Sequence, residues 1–150
     1  MRRWFAWLSG RFGRGSGERL DPDVRDVFLG ELDELTGMLT QARPALRGGA
    51  VAAETLQPIR RGFHTIKGSG QMVGALTLGK FCGRIEKLAL SQIEKRGKPQ
   101  QPVLDLIGEA IDLLPDCARA VRANRPLPPA LNRIDRDARK LLDQLGYRLG

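Results

Sequence analysis

Histidine, cysteine, tyrosine and tryptophan are nearly missing from this chain. Its 150 residues hold one histidine, two cysteines, one tyrosine and two tryptophans, and aromatic residues make up 5% of the total. Cys82 and Cys117 lie far apart and match neither a disulfide-rich extracellular scaffold nor a metal-ligand spacing. With a single histidine beside them, no zinc site is expected. Each cysteine sits among apolar residues and reads as a small core residue in a reducing cytoplasm. No apolar run reaches the length of a transmembrane helix. β-Branched residues are sparse beside Leu and Ala, no strand pattern is present, and no internal repeat is found, so helices are favoured. The glycine-rich stretch Gly13-Arg14-Gly15-Ser16-Gly17 lacks the phosphate-loop pattern and any strand before it, so no nucleotide site is expected.

What is present is helical periodicity. Residues 1–20 read as a basic arm and a glycine-rich linker. Trp4, Trp7, Leu8 and Phe12 could share one face of a short helix, with Arg2, Arg3, Arg11 and Arg14 elsewhere. The apolar run is too short for a signal peptide. We read residues 1–12 as a flexible or loosely docked arm rather than a membrane-surface or partner-binding helix. Asp21-Pro22 then starts a helix, in which Val24, Phe28, Leu32, Leu35 and Leu39 recur every three or four residues. Pro44 and Gly48-Gly49 end it. A second helix begins near Ala50 with Leu56, Ile59, Phe63, Ile66 and Val73 as its stripe, and Pro58 should start or bend it. Gly68, Gly70 and Gly74 are costly there, so something besides propensity should require them. A third helix, near Leu76 to Lys95, turns Leu78, Phe81, Ile85 and Leu88 inward. A fourth carries Val103, Leu104, Ile107, Ile111, Leu114, Ala118 and Val121, and Pro115 should kink or split it. After Pro126, Pro128 and Pro129, a last helix carries Leu131, Ile134, Ala138, Leu141, Leu142 and Leu145, with Gly146 as its cap. The expected fold is all-α: an antiparallel up-down four-helix bundle over residues 21–125, with additional helical segments at both ends, the last being residues 126–150.

The net charge of +8 is uneven. Residues 21–45 hold two basic and six acidic groups, whereas residues 46–100 hold ten basic and three acidic. The basic excess surrounds the one histidine, His64, and suits an acidic or phosphorylated protein partner. With Phe63 and Ile66 buried, His64 is turned about 100° from Phe63 and faces outward. Lys67 shares its face three residues on, and Gly68 removes bulk one turn away. Lys67 can neutralise phosphoryl oxygens and Gln71 can donate to them. Arg60 and Arg61 precede the histidine on the same surface. An exposed imidazole with a cation and a gap beside it suits carriage of a phosphoryl group to a docked partner.

The stretch His64-Thr65-Ile66-Lys67-Gly68, followed by Gly74, resembles the histidine-containing phosphotransfer (HPt) domain, whose pattern is His-x-x-Lys-Gly with a second glycine six residues later. Ile59 to Gly70 looks like the HPt modules of chemotaxis-type and pilus-type kinases, and the resemblance covers roughly residues 21–122. It implies that His64 is phosphorylated; with the reading of its neighbours, Lys67 and Gln71 are expected to stabilise the phosphoryl group and Arg60, Arg61 and Gly68 to form the docking face. It also implies that a glutamate 22 residues after the histidine, here Glu86, orients the ring. Gly83 departs from the chemotaxis pattern, which can place a second polar residue there. The resemblance further implies a phosphocarrier without autonomous catalysis. A histidine kinase and a response-regulator receiver are its partners, and they supply Mg²⁺ and ATP, so the domain needs no cofactor of its own. We expect a free-standing, monomeric, cytoplasmic bacterial protein. Two other readings remain: an HPt-like adaptor that binds a receiver or kinase without being phosphorylated, and a basic nucleic-acid-binding helical domain. Retention of His64, Lys67 and Gly68 argues against the first. The lack of interleaved basic and aromatic residues near His64 argues against the second.

Overall fold

The computed structural model describes residues 22–47, 51–94 and 100–147, so the expectations for the N-terminal arm lie outside the described residues. The helices are α1 (Pro22–Ala42), α2 (Ala53–Val73), α3 (Leu76–Glu94), α4 (Gln101–Arg122) and α5 (Ala130–Gln144), with a 3₁₀ turn at Arg43–Leu46 after α1. No strand occurs among the described residues. No helix among them is long and apolar enough to cross a membrane.

The first four helices form the expected antiparallel bundle. Ion pairs show the opposed direction of α1 and α4: Arg43 Nε meets Asp112 Oδ1 at 3.2 Å and Arg122 Nη2 meets Asp33 Oδ2 at 2.6 Å. The apolar stripes read from the sequence point inward. Phe28, Phe63 and Phe81 are fully buried together with Leu32, Leu39, Leu56, Ile59, Ile66, Leu78 and Ile85. Leu35 is only partly buried at the core's margin.

Glycines set the tight pairing of α2 and α3. A Cβ on Gly70 would stand 3.1 Å from the Ala75 carbonyl oxygen and 3.5 Å from Gly79 Cα. A Cβ on Gly79 would stand 3.2 Å from the Lys67 carbonyl oxygen. The two backbones therefore approach where neither carries a side chain. Gly74 closes α2 at φ 94°, a conformation that L-residues disfavour, and the chain turns directly into α3. The cost of Gly70 and Gly74 in helix propensity is offset by this turn and close approach.

Both internal prolines are accommodated within continuous helices. α2 begins five residues before Pro58 and α4 passes Pro115 without being split. A proline removes one backbone donor and crowds the carbonyl four residues earlier. In α4 that local loss is opposed by the stripe around it, since Ile111, Leu114 and Ala118 are all buried. Helix α5 packs on α3 and α4 through Leu131, Ile134, Ala138 and Leu142. Arg84 donates from α3 to Asp135 at 2.8 Å, and Arg133 pairs with Glu109 of α4. Gly146 N–H bonds the Asp143 carbonyl and Tyr147 N–H bonds the Leu142 carbonyl, which closes α5 with a Schellman motif.

Two expected outcomes test this packing. Ile134→Ala should lower the unfolding free energy by about 2–5 kcal/mol in a denaturant titration, as for other buried aliphatic truncations; a change within error would detach α5 from the core. The second concerns Glu31 on α1, which is buried with Oε2 lacking a hydrogen-bond partner among the described residues. Burial raises its carboxyl above the ordinary 4.5. An acid raised in the folded state costs stability at pH values above its folded pKa. The cost fades as pH falls towards the unfolded value, because both states are then protonated. Glu31→Gln should therefore raise the Tm at neutral pH and lose that advantage below the ordinary carboxylate range, as read by circular dichroism.

Candidate functional site

His64 stands in the middle of α2 with its side chain 61% exposed, held at the bundle's edge because Phe63 and Ile66 on either side are buried. Across the α2–α3 contact lies Glu86, whose side chain is only 11% exposed. Its Oε2 is 2.7 Å from His64 Nδ1. The antiparallel pairing fixed at Gly70 and Gly79 accounts for this meeting, since residues progressively earlier on α2 then face residues progressively later on α3.

Glu86 has more partners than the histidine. Arg60 Nη1 lies 3.4 Å from the same Oε2, and Lys67 Nζ lies 3.7 Å from Oε1. Arg60 is further held by Gln57, whose Oε1 accepts from Arg60 Nε at 3.1 Å. A poorly solvated carboxylate is tolerated only with such compensation. Arg60, His64 and Lys67 are spaced by four and three residues and so share one helix face. One carboxylate thus gathers three basic groups from a single face of α2.

An ionised carboxylate can only accept hydrogen bonds. With Glu86 ionised, its contact with Nδ1 calls for a proton on that nitrogen and would leave Nε2 of a neutral ring with a lone pair. Around the ring the surface is open. A Cβ added at Gly68 would meet nothing within 4 Å.

The other sequence-predicted residues are placed differently. Arg61 is exposed, and its carbonyl accepts the Thr65 hydroxyl at 2.9 Å. Gln71 lies two turns from His64, about 10.5 Å along the axis, and its side chain rests over Gly79. Arg60 is drawn into the Glu86 cluster, which sequence reasoning missed although its helical register with His64 and Lys67 carried the signal. Also missed was a basic groove of about 330 Å³ between α2 and α3, lined by Lys67, Gln71, Gly79, Lys80, Gly83, Arg84 and Lys87. The four-residue register of Lys80, Arg84 and the neighbouring Lys87 on α3 could have revealed it. No group of three or more His, Cys, Asp or Glu among the described residues is placed to hold a metal ion.

The family model described as the Hpt domain matches residues 23–124, more than half of the chain, and the match includes His64, Lys67, Gly68 and Glu86. No curated protein matches the chain.

Nitrogen-15 NMR of the neutral ring should show the proton on Nδ1, and Glu86→Ala should remove that preference without unfolding the bundle. An unchanged tautomer would take Glu86 out of the site.

Proposed function

The chain belongs to the Hpt domain family, and we propose that His64 is the residue on which it carries a phosphoryl group. Membership of that family implies a phosphotransfer role in a phosphorelay. The observation that supports His64 is its Nδ1 contact with Glu86, which leaves the opposite nitrogen of an exposed ring as the nucleophile.

In the proposed step the Nε2 lone pair attacks phosphorus. The donor is the aspartyl phosphate of a receiver domain or the γ-phosphate of ATP held by a histidine kinase. The N–P bond forms as the P–O bond breaks, and the leaving group is the receiver carboxylate or ADP. The Nδ1 proton stays in its hydrogen bond to Glu86, so the positive charge gained by the ring is balanced where it develops. Transfer onward to a receiver aspartate reverses this sequence. Lys67 is proposed to neutralise phosphoryl oxygens; Gln71, two turns away over Gly79, is not placed to donate to them. Arg60 and Arg61 contribute positive charge to the docking face, and the open side at Gly68 admits the partner. The partner supplies Mg²⁺ and, for a kinase, ATP, so the chain acts as a phosphocarrier and not as a catalyst.

The deciding experiment is a phosphotransfer profile against the kinases and receivers of the source organism, with acid-labile phosphate as the readout. His64→Gln should abolish labelling and leave the circular dichroism spectrum unchanged; phosphate retained on the variant would place the acceptor elsewhere. Gly68→Gln should keep the fold yet slow transfer to a receiver by on the order of a hundredfold, because near in-line approach tolerates little displacement. Normal transfer by that variant would mean that the partner approaches from another side.

A further inference from the structure

Three buried glycines punctuate the α2–α3 pairing, and they are not equivalent. Those at positions 70 and 79 face backbone: the nearest atoms to an added Cβ include Ala75 O, Gly79 Cα and Lys67 O. They are required by the approach of the two helices. Gly83 differs. The three nearest atoms to a Cβ built there are Lys67 Cδ at 3.1 Å, Cε at 3.5 Å and Cγ at 3.5 Å. All belong to one flexible side chain, and none is backbone.

The lysine stem therefore crosses from α2 to α3 over the bare backbone at Gly83. Its ammonium emerges 3.7 Å from Glu86 Oε1, almost one turn further along α3. The other oxygen of that carboxylate accepts from the imidazole at 2.7 Å. Lysine has many rotamers, and an ammonium on an unsupported stem would sample a wide arc. Resting the methylenes on a flat apolar surface narrows that arc while leaving the charge at the solvent edge. The Lys67 side chain is 35% exposed, as such an arrangement requires.

We propose that Gly83 is a positioning residue: by lacking a side chain it seats the Lys67 stem and thereby sets the ammonium beside Glu86 and His64. The proposal deepens the phosphocarrier reading and rests on it for the catalytic consequence, but not for the geometry.

Gly83→Ala is the direct test. Alanine is the better helix former, so the helix itself should not suffer, while a methyl at 3.1 Å from Lys67 Cδ must displace the stem. The kinetic arm uses phosphoramidate as a small phosphodonor, which removes partner docking from the measurement. Gly83→Ala should slow phosphorylation of His64 by about tenfold or more, as misplacement of a transition-state charge does. In a Lys67→Ala background the same substitution should change the rate by less than about twofold, since interacting sites are non-additive and independent ones are additive. Equal effects in both backgrounds would overturn the proposal. If Gly83→Ala alone fails to fold, Lys67→Ala must restore folding by removing the crowded Cδ; continued unfolding of the double variant would also overturn it.

The spectroscopic arm needs no phosphate. The Lys67 Nζ chemical shift should respond to Glu86→Gln in the wild-type background and lose that response in Gly83→Ala. An undiminished response would sink the proposal even if the kinetics agreed. If the wild-type protein takes no phosphate on His64 while this shift behaves as expected, the phosphocarrier reading fails and the positioning role of Gly83 stands.

Discussion

The site depends on how closely α2 and α3 can approach. At Gly70 and Gly79 the backbones meet without intervening side chains, and at Gly74 the chain reverses in a single tight turn. These features fix the register of the two helices. Register decides which residue of α3 faces each residue of α2, and so brings a carboxylate from one helix to the imidazole of the other. A methyl group at either contact glycine would push against main-chain atoms, which have little freedom to yield. The displacement would reach the ring through the rigid helices.

Glu86 converts that register into electrostatics. It is poorly solvated, and its two oxygens serve the imidazole, a guanidinium and an ammonium. Holding one carboxylate among three basic groups ties them together, and it offsets part of the charge of the two cations held close to the imidazole. The surface beyond this cluster remains basic along the groove toward Lys80, Arg84 and Lys87, where Asp135 of α5 partly offsets Arg84. The carboxylate at the ring and the positive excess beside it serve different purposes. The first holds the imidazole of α2 against α3, and the second favours encounter with negatively charged surfaces.

Much of this was legible in the sequence because helical periodicity is a local property. The stripe Leu56, Ile59, Phe63 and Ile66 defines the buried face of α2 and therefore the outward face that carries His64. The stripe Leu131, Ile134, Ala138 and Leu142 likewise announced a packed C-terminal helix. Three features were less legible. Pro115 suggested a break, but a proline's cost is local while the burial of Ile111, Leu114 and Ala118 is set by the whole bundle. The sharing of Glu86 by Arg60 and Lys67, and the seat at Gly83, are contacts between helices. They depend on approach distance: register puts Arg60, His64 and Lys67 on one face, but spacing within one helix does not show that a carboxylate of α3 reaches that face. Gly83 stood out in the sequence only as a missing polar side chain; in the fold that vacancy is occupied by the stem of Lys67.

Helix α5 separates two boundaries that are often taken as one. The family match ends at residue 124, yet α5 begins at Ala130 and lays Leu131, Ile134, Ala138 and Leu142 on α3 and α4. Homology and folding thus divide this chain at different points. The matched module carries the proposed chemistry, whereas its apolar closure on one side is provided by a segment outside the match. A fragment cut at the homology boundary would present the uncovered surface of α3 and α4 to water, where apolar patches promote association. Arg84, at the rim of the basic groove, would also lose the carboxylate of Asp135 and gain freedom to move. The helix that seals the core is therefore also a determinant of the charge displayed near His64.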